Sequence, residues 1–419
     1  MSESPWPLKP LAELFKINGE QTFPAAHPCH EFVHYSIPAW DANGQPLVEL
    51  GAAIESNKTA IKSESVLVSK LNPRKPRVAV IQRVEQRFCA STEFICYQPK
   101  RAAECLSFWG AYFSTGDFSR RLERVAIGST NSHTRANPKE TLSWLVPDPD
   151  SAEKEKIAEV FAVLNTTIQQ TEAIVEKLKQ VKQGLLHDLL TRGIDANGEL
   201  RPSYEQAPHL YKESPLGRIP KGWKVLPVEE CGKIITGSTP PSYAPYAWGD
   251  KTPFITPAEV TENGEIVMAE RYVSERGHRY VRLLPLQTTL VVCIGSTIGK
   301  VGITGTFSCT NQQINAVVPS PAFEPSFLFH TIRQNISQLR AMAGLQAVPI
   351  VNKSSFGNLL VTKPGYDEQL EIAKRQSSIS KRIEQEDAML YKLRQQKIGL
   401  MNDLLTGRVR VTPLLAQSQ

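Results

Sequence analysis

Gly295-Ser-Thr-Ile-Gly-Lys300 follows an apolar run, and glycines ahead of a lysine are the material of a phosphate-cradling loop. That loop needs four residues between its glycines and Ser or Thr after the lysine, because the hydroxyl holds Mg²⁺. Here three residues intervene and Val301 follows, so the segment reads as a strand-to-strand turn with a basic tip. Val146-Pro-Asp-Pro-Asp150 resembles the start of a Mg²⁺-nuclease motif, yet no E-x-K follows at a useful spacing and the residues open a helix. Thr239-Pro-Pro-Ser242 lacks the Asn or Asp and the aromatic of an amino-methyltransferase tetrapeptide. His187 stands beside Asp188, but the near-copy of that phrase later in the chain has Asn402 at the histidine position. No H-E-x-x-H, G-x-S-x-G or G-x-G-x-x-G occurs. The seven cysteines never form C-x-x-C, which argues against a zinc cage or disulfide framework and for reduced cysteines in a cytoplasmic protein. The expectation is a chain with no catalytic residues, no metal site and no cofactor of its own.

Arginines, amides and aromatics on loops suit another chemistry, the positioning of phosphates and the reading of base edges. Lys70, Asn72, Arg74, Lys75 and Arg77 lie in KLNPRKPR, where two prolines interrupt strand pairing. Arg120, Arg121 and Arg124 form a second group, and His133 and Arg135 follow it. Further on, Arg271, Arg276, His278, Arg279 and Arg282 crowd a short span, with Lys300 nearby. SYAPYAWGDK supplies Tyr243, Tyr246, Trp248 and Lys251; Gln312, Gln313 and Asn315 offer amides able to pair bidentately with adenine. Asn352 and Lys353 complete the candidate set. Any one of these, taken singly, reads more readily as a solvated charge or a core aromatic than as a DNA contact; the set carries the inference.

The net charge of +6 is mild but unevenly spread. Residues 1–146 carry 17 basic and 14 acidic side chains, and residues 212–361 carry 14 and 10, whereas 147–211 carry 7 and 11. Two positive blocks are compatible with a polyanionic partner. No apolar run approaches the ~18 residues of a membrane span, and the N-terminus lacks the pattern of a signal peptide.

The elements that hold these residues are written twice. GLLHDLLTRGI (184–194) returns as GLMNDLLTGRV (399–409), an offset of 215, and ten of 19 positions match between 176–194 and 391–409. Apolar residues recur at alternating spacings of three and four in both copies. In the first they run Ile157, Phe161, Leu164, Ile168, Val175, Leu178, Leu185 and Leu189. In the second they run Ile372, Ile379, Ile383, Leu390, Leu393, Leu400 and Leu404. This is a heptad seam, so two long helices are predicted to pack as a coiled coil, with each helix packing on its own block as the alternative. Thr171, Lys182, Gln376, Glu386 and Lys397 interrupt the seam. They either fix register or carry their polar ends to the rim. Gly193 and Gly407 sit where a left-handed cap is expected.

The flanking blocks repeat more loosely. Trp6-Pro-Leu-Lys-Pro10 matches Trp223-Lys-Val-Leu-Pro227, VLVSKLNPRKPRVAVI matches LVVCIGSTIGKVGIT, and RFCASTEFICYQP matches FSCTNQQINAVVP. β-Branched and polar residues alternate between turn formers, so each block is α/β-mixed with a twisted sheet. The predicted order is a module over 1–146, a helix over 147–194, a linker over 195–216, a module over 217–361, a helix over 362–409 and a tail over 410–419.

Through these repeated phrases and the segments around them, the whole chain resembles the specificity subunits of type I restriction–modification enzymes. LLHDLLTRGI, LMNDLLTGRV, LGRIPKGWKVLPVEE, ITGSTPPSYAPYAWGDKTPFITPAEV and GSTIGKVGI with CTNQQINAVVP carry the likeness. In the first module SIPAWDANGQP, IESNKTAI and VLVSKLNPRKPRVAV look like a recurring variant of the same domain. The resemblance implies an α+β fold with two target recognition domains in a pseudo-twofold arrangement, joined by an antiparallel coiled coil. It implies that each module reads half of a split site in double-stranded DNA, and that the helices fix the spacing and dock two modification (methyltransferase) subunits. Adenosylmethionine would belong to those subunits, and ATP and Mg to restriction subunits that translocate and cleave. The first module lacks the GSTPPSY…WGDKTPFITP element of the second, so the two are expected to read different half-sites. The rival reading is a coiled-coil adaptor that never touches DNA.

Overall fold

The computed structural model describes residues 6–127, 134–261, 264–343 and 349–416. The chain divides into two compact units, one of residues 1–173 with 387–419, the other of residues 174–386. Each long helix therefore contributes one half to each unit.

In the first unit, a four-stranded antiparallel sheet runs in the order Phe15–Asn18, Phe94–Pro99, Ser65–Ser69, Val78–Ile81. The second unit repeats this order with Gly232–Thr236, Ile314–Pro319, Thr289–Val292 and Val301–Thr304, and adds Glu265–Ile266 at the edge. The matched sequence phrases thus fall on equivalent strands. KLNPRKPR and the stretch ending GSTIGK are equivalent hairpin connections, which removes the phosphate-loop geometry from the latter. A second sheet in each unit is built on a parallel pair, Glu31–Tyr35 beside Phe88–Ser91 and Thr252–Ile255 beside Cys309–Thr310. TPFI of the second module therefore has a structural counterpart in EFVHY, which the sequences do not reveal.

Helices Leu106–Phe113 and Gly116–Arg124 cover the first unit's sheet, where Phe15, Tyr97, Trp109, Phe113 and Phe118 interlock edge-to-face or tilted. Pro325–Gln334 and Ile336–Met342 cover the second, burying Phe327, Leu328 and Ile332 against Trp223 and Phe356. Short pairings close each module at its base, Leu8–Pro10 with Leu145–Pro147 and Lys224–Pro227 with Leu360–Lys363.

The long helices span Ser151–Thr191 and Tyr366–Leu404. None of the twenty seam positions named or interrupted above is exposed. In the first unit, Ile157 and Phe161 share a core with Leu404, while Leu164 and Ile168 meet Leu390 and Leu393. Rising numbers on one helix meet falling numbers on the other, so the pair is antiparallel. The second unit repeats the arrangement with Leu185, Leu189 and Leu190 against Ile372. Lys182 and Lys397 are half-buried in the seam, and burial pushes both ammonium groups below the usual lysine range. Gly193 and Gly407 take φ of +66° and +73°, the left-handed caps expected of them.

Each unit ties the start of one long helix to the chain that leaves the other. In the second unit, Glu368, in the first turn of the C-terminal helix, accepts from Trp223 Nε1 (3.2 Å), Arg201 Nη2 (3.1 Å) and Ile194 N (2.9 Å). A side chain at Gly193 would lie 2.2 Å from Glu368 Oε1 and 2.4 Å from Trp223. In the first unit, Glu153 accepts from Trp6 Nε1 (2.9 Å) and from Arg410 Nε and Nη2 (both 2.7 Å). The repeated tryptophan at the head of each module is therefore a hydrogen-bond donor to a helix N-terminus, where a carboxylate is also favoured by the helix dipole. Segment 195–216 is not a bare linker. Asp195 caps its own turn at Asn197 N and Glu199 N, and Tyr211–Ser214 pairs with Gly217–Pro220 as a hairpin.

Candidate nucleic-acid interface

Four loops gather at one end of the second unit's five-stranded sheet. They follow Thr236, join Val292 to Val301, precede Ile314, and reach in from Pro349–Lys353. Backbone bonds knit them together: Gly237 N to Ile314 O (3.0 Å), Ser238 N to Thr310 O (2.9 Å), Gly295 N to Pro349 O (3.0 Å) and Val351 N to Cys293 O (2.9 Å). A Cβ at Gly237 would stand 2.0 Å from Asn311 O, so only glycine allows this approach. Segments 237–243, 293–300, 311–313 and 349–353 contain Lys300 and Lys353 and no acidic residue. Lys300, Asn352 and Lys353 are exposed; Asn352 also caps the short helix Lys353–Gly357 by accepting from Ser355 N (2.8 Å).

The amides do not behave alike. Asn315 is buried and its Oδ1 is taken by Thr236 Oγ1 (2.7 Å), so it is a strand-pairing residue and not a reader. Gln312 is exposed and accepts from Thr239 Oγ1 (2.7 Å); Gln313 is half-buried and accepts from Asn311 Nδ2 (2.8 Å). Thr239 and Asn311 are orienting residues that the sequence reading passed over. The N-x-Q spacing was the available signal, since Asn side chains fold back on the backbone two residues on.

Beside these loops Arg279 Nη2 donates to Tyr246 Oη (2.9 Å), which lies 2.7 Å from Tyr280 Oη. Tyr243 is 77% exposed, the most open of the aromatic candidates. Arg282 donates to the carbonyls of Thr236 and Gly237 and stiffens the loop. Trp248 is committed elsewhere: Arg271 stacks 3.5 Å above its ring, and its edge meets Phe254 at 5.0 Å. His278 bonds Thr252 Oγ1 (2.8 Å). Lys251 and Arg276 are exposed.

The first unit's cations are largely neutralised from within. Arg77 is 6% exposed and grips Asp41 with Nε (2.7 Å) and Nη2 (2.9 Å), holding that carboxyl well below the usual range. Lys75 reaches the same carboxylate at 2.9 Å. Arg74 pairs with Glu123, and Arg135 Nε donates to both carboxylate oxygens of Glu93 (3.0 Å each). Arg121 donates to Leu145 O (3.2 Å) and lies 4.6 Å over Trp144, while exposed Arg120 pairs only loosely with Asp117 at 3.5 Å. Lys70 is half-buried in the strand connection, and Asn72 holds φ of +47° at its turn. His133 lies outside the described residues. Arg77 is the residue whose placement departs most from a phosphate contact: it is a buried strut. Arg77→Ala is expected to lower the stability of the first unit by about 1–2 kcal/mol, through the lost hydrogen bonds of a buried guanidinium to Asp41 and to Leu71 O, while the exposed Asp41 keeps Lys75. A thermal melt of the variant checks this.

Among the described residues no cluster of His, Cys, Asp or Glu is disposed to hold a metal, and no helix is long and apolar enough to cross a membrane. The two units thus share one strand order, with equivalent hairpin connections in KLNPRKPR and the stretch ending GSTIGK, which defines a duplicated chain. The profile of the family described as type I restriction modification DNA specificity domain matches residues 220–393. The HindI specificity subunit of Haemophilus influenzae is 22% identical over 73% of this chain and 78% of its own length. The MjaX specificity subunit of Methanocaldococcus jannaschii is 23% identical over 64% of this chain, which spans 59% of that relative. Two solved specificity subunits share the fold. The HsdS subunit of Thermoanaerobacter tengcongensis has a TM-score of 0.52 at 16% identity, covering 98% and 100% of the two chains. The S subunit of M. genitalium has 0.56 at 12%, covering 97% of each. Residues 220–393 therefore match a type I restriction modification DNA specificity domain, and most of the chain is similar to specificity subunits of type I restriction enzymes.

Proposed function

We propose that each module of this chain reads one half of a split DNA sequence, that the helix pair sets the half-site spacing, and that two methyltransferase subunits dock on those helices. Adenosylmethionine then resides on the methyltransferase partners, ATP and Mg²⁺ on restriction partners, and the assembly works in the cytoplasm. The observation that carries the reading is the acid-free loop cluster at the end of the second sheet, with its counterpart connection KLNPRKPR in the first. Lysines there suit phosphate contacts and amides suit base edges, held on rigid strands. Exposed apolar residues on the helices, among them Ile174 and its repeat equivalent Met389, support a protein-binding face. A DNA-free adaptor would not need the loop chemistry.

The test is binding of the chain, complexed with its methyltransferase partner, to randomised duplex DNA. A bipartite motif is expected, with affinity falling steeply as salt rises; salt-insensitive or motif-free binding would favour the adaptor. Removing one heptad from both helices shortens each by roughly 10 Å, on the order of three base pairs. Selection should then return the same half-sites at closer spacing; altered half-sites would defeat the spacer role. Exchanging residues 1–146 for another member's first module should change one half-site only.

A further inference from the structure

Within that reading of the chain, we infer that Gln313 is a base reader of fixed polarity, presenting a hydrogen-bond donor and not the paired donor and acceptor that adenine recognition uses. Gln313 N donates to Asn311 Oδ1 (3.1 Å), so a backbone group fixes which end of the Asn311 amide is oxygen. Asn311 Nδ2 must then face Gln313, and it donates to Gln313 Oε1 at 2.8 Å. The glutamine oxygen is thereby held against the protein, and its NH₂ is the end left to act outward. Gly295, required by its φ of +99°, lies beside that NH₂: a Cβ there would stand at ordinary contact distance, 3.5 Å, from Gln313 Nε2. Gln312 follows the same rule, its Oε1 accepting from Thr239 Oγ1.

Bidentate reading of adenine asks one amide to donate to N7 and accept from N6. With its oxygen engaged and turned inward, Gln313 is set to donate alone, to guanine O6 or N7 or to thymine O4. Asn311 acts as a positioning residue, and the pair converts a two-way amide into a one-way probe. The surrounding loops hold Lys300 and Lys353 for the flanking phosphates.

Gln313→Glu tests this cleanly, because it preserves size and the Asn311 bond while putting an ionised acceptor where the donor stands. Randomised duplexes are selected with the chain in complex with its methyltransferase partner, wild type and variant in parallel. One position of one half-site is expected to shift about tenfold from an acceptor-bearing base toward cytosine, whose N4 donates, with the other half-site unchanged. Asn311→Ala should free the glutamine oxygen and let adenine into that position. An unchanged motif in Gln313→Glu, or unchanged preference in Asn311→Ala, overturns the assignment. Should Gln313→Glu bind nothing, Gln313→Ala decides: a degenerate position supports the inference, and retention of the wild-type base sinks it. If the wild-type complex selects no motif at all, it is the reading of the chain as a DNA reader that fails.

Discussion

Glu368→Ala is expected to destabilise the second unit by about 4 kcal/mol, out of proportion to one exposed-looking carboxylate at a helix start. The side chain accepts from Trp223, from both ends of the Arg201 fork and from the Ile194 amide, and Trp223 is 1% exposed. Removing the acceptor leaves a buried indole N–H and a backbone N–H without partners, and strips a largely buried guanidinium of its carboxylate, with only the Arg192 carbonyl left to Arg201 Nη1 (3.1 Å). Each stranded neutral donor costs about 1–3 kcal/mol, and breaking a buried ion pair typically costs about 3–5. The matching change in the first unit, Glu153→Ala, should cost somewhat less, because Arg410 is more open to water than Arg201. Glu368→Gln should retain part of the stability, since its oxygen still accepts from Trp223. Calorimetry separates the outcomes: two variants, each lowering the transition of its own unit, support the locks. A loss below about 1 kcal/mol for Glu368→Ala would mean that the hairpin and helix start are held by packing alone.

That lock also marks where the sequence was legible. The helices, their apolar seam and their glycine caps follow from local rules: heptad spacing, apolar burial and the φ of glycine; the antiparallel direction came from the family resemblance and is borne out by the contacts of the two helices. The topology of the large sheet was readable through the repeat, because VLVSKLNPRKPRVAVI and LVVCIGSTIGKVGIT occupy the same hairpin in both units. The correspondence of EFVHY with TPFI was not, since the parallel pairing each makes with a strand distant in sequence imposes little on residue type beyond β-propensity. Charge partners were the least legible feature. Arg77 and Arg74 have the same residue type in the same loop. One is buried on Asp41 and the other pairs at the surface with Glu123, across 36 and 49 residues of sequence. Residue type gave the chemistry available; only tertiary contact decides which cations remain for a partner. The amides divide similarly, Asn315 turning inward to Thr236 while Gln313 is aimed by Asn311.

Acid should weaken the second unit before the first, and His330 is the reason. The ring lies on the helix Pro325–Gln334, 8% exposed, with Nδ1 lacking a hydrogen-bond partner. Burial first, then the charge of Arg333, lowers its pKa to about 3; Lys182 adds to the effect, and a hydrogen bond with Gln376 opposes it. The folded unit therefore keeps the imidazole neutral while the unfolded chain takes up a proton below its ordinary value of 6.5. Stability is complete above that value and is lost as pH falls toward 3, by about 1.4 kcal/mol per pH unit and so about 2 kcal/mol at pH 5. The first unit's ionic cluster responds later. Burial would raise the Asp148 carboxyl, but Lys154, Lys9 and Arg101 outweigh it and hold it at about 2, so its contribution is lost only as pH drops below the ordinary 3.8. His34, whose pKa burial also lowers, gives the first unit some earlier slope, partly offset by its bond to Glu49. His330→Gln should flatten the pH dependence of the second unit between pH 7 and 5 whatever its effect on stability at pH 7. Melting curves of wild type and variant at pH 7, 6 and 5 read this directly. Equal slopes in the two proteins would assign the acid response to other groups and leave His330 a packing residue at the foot of the helix pair.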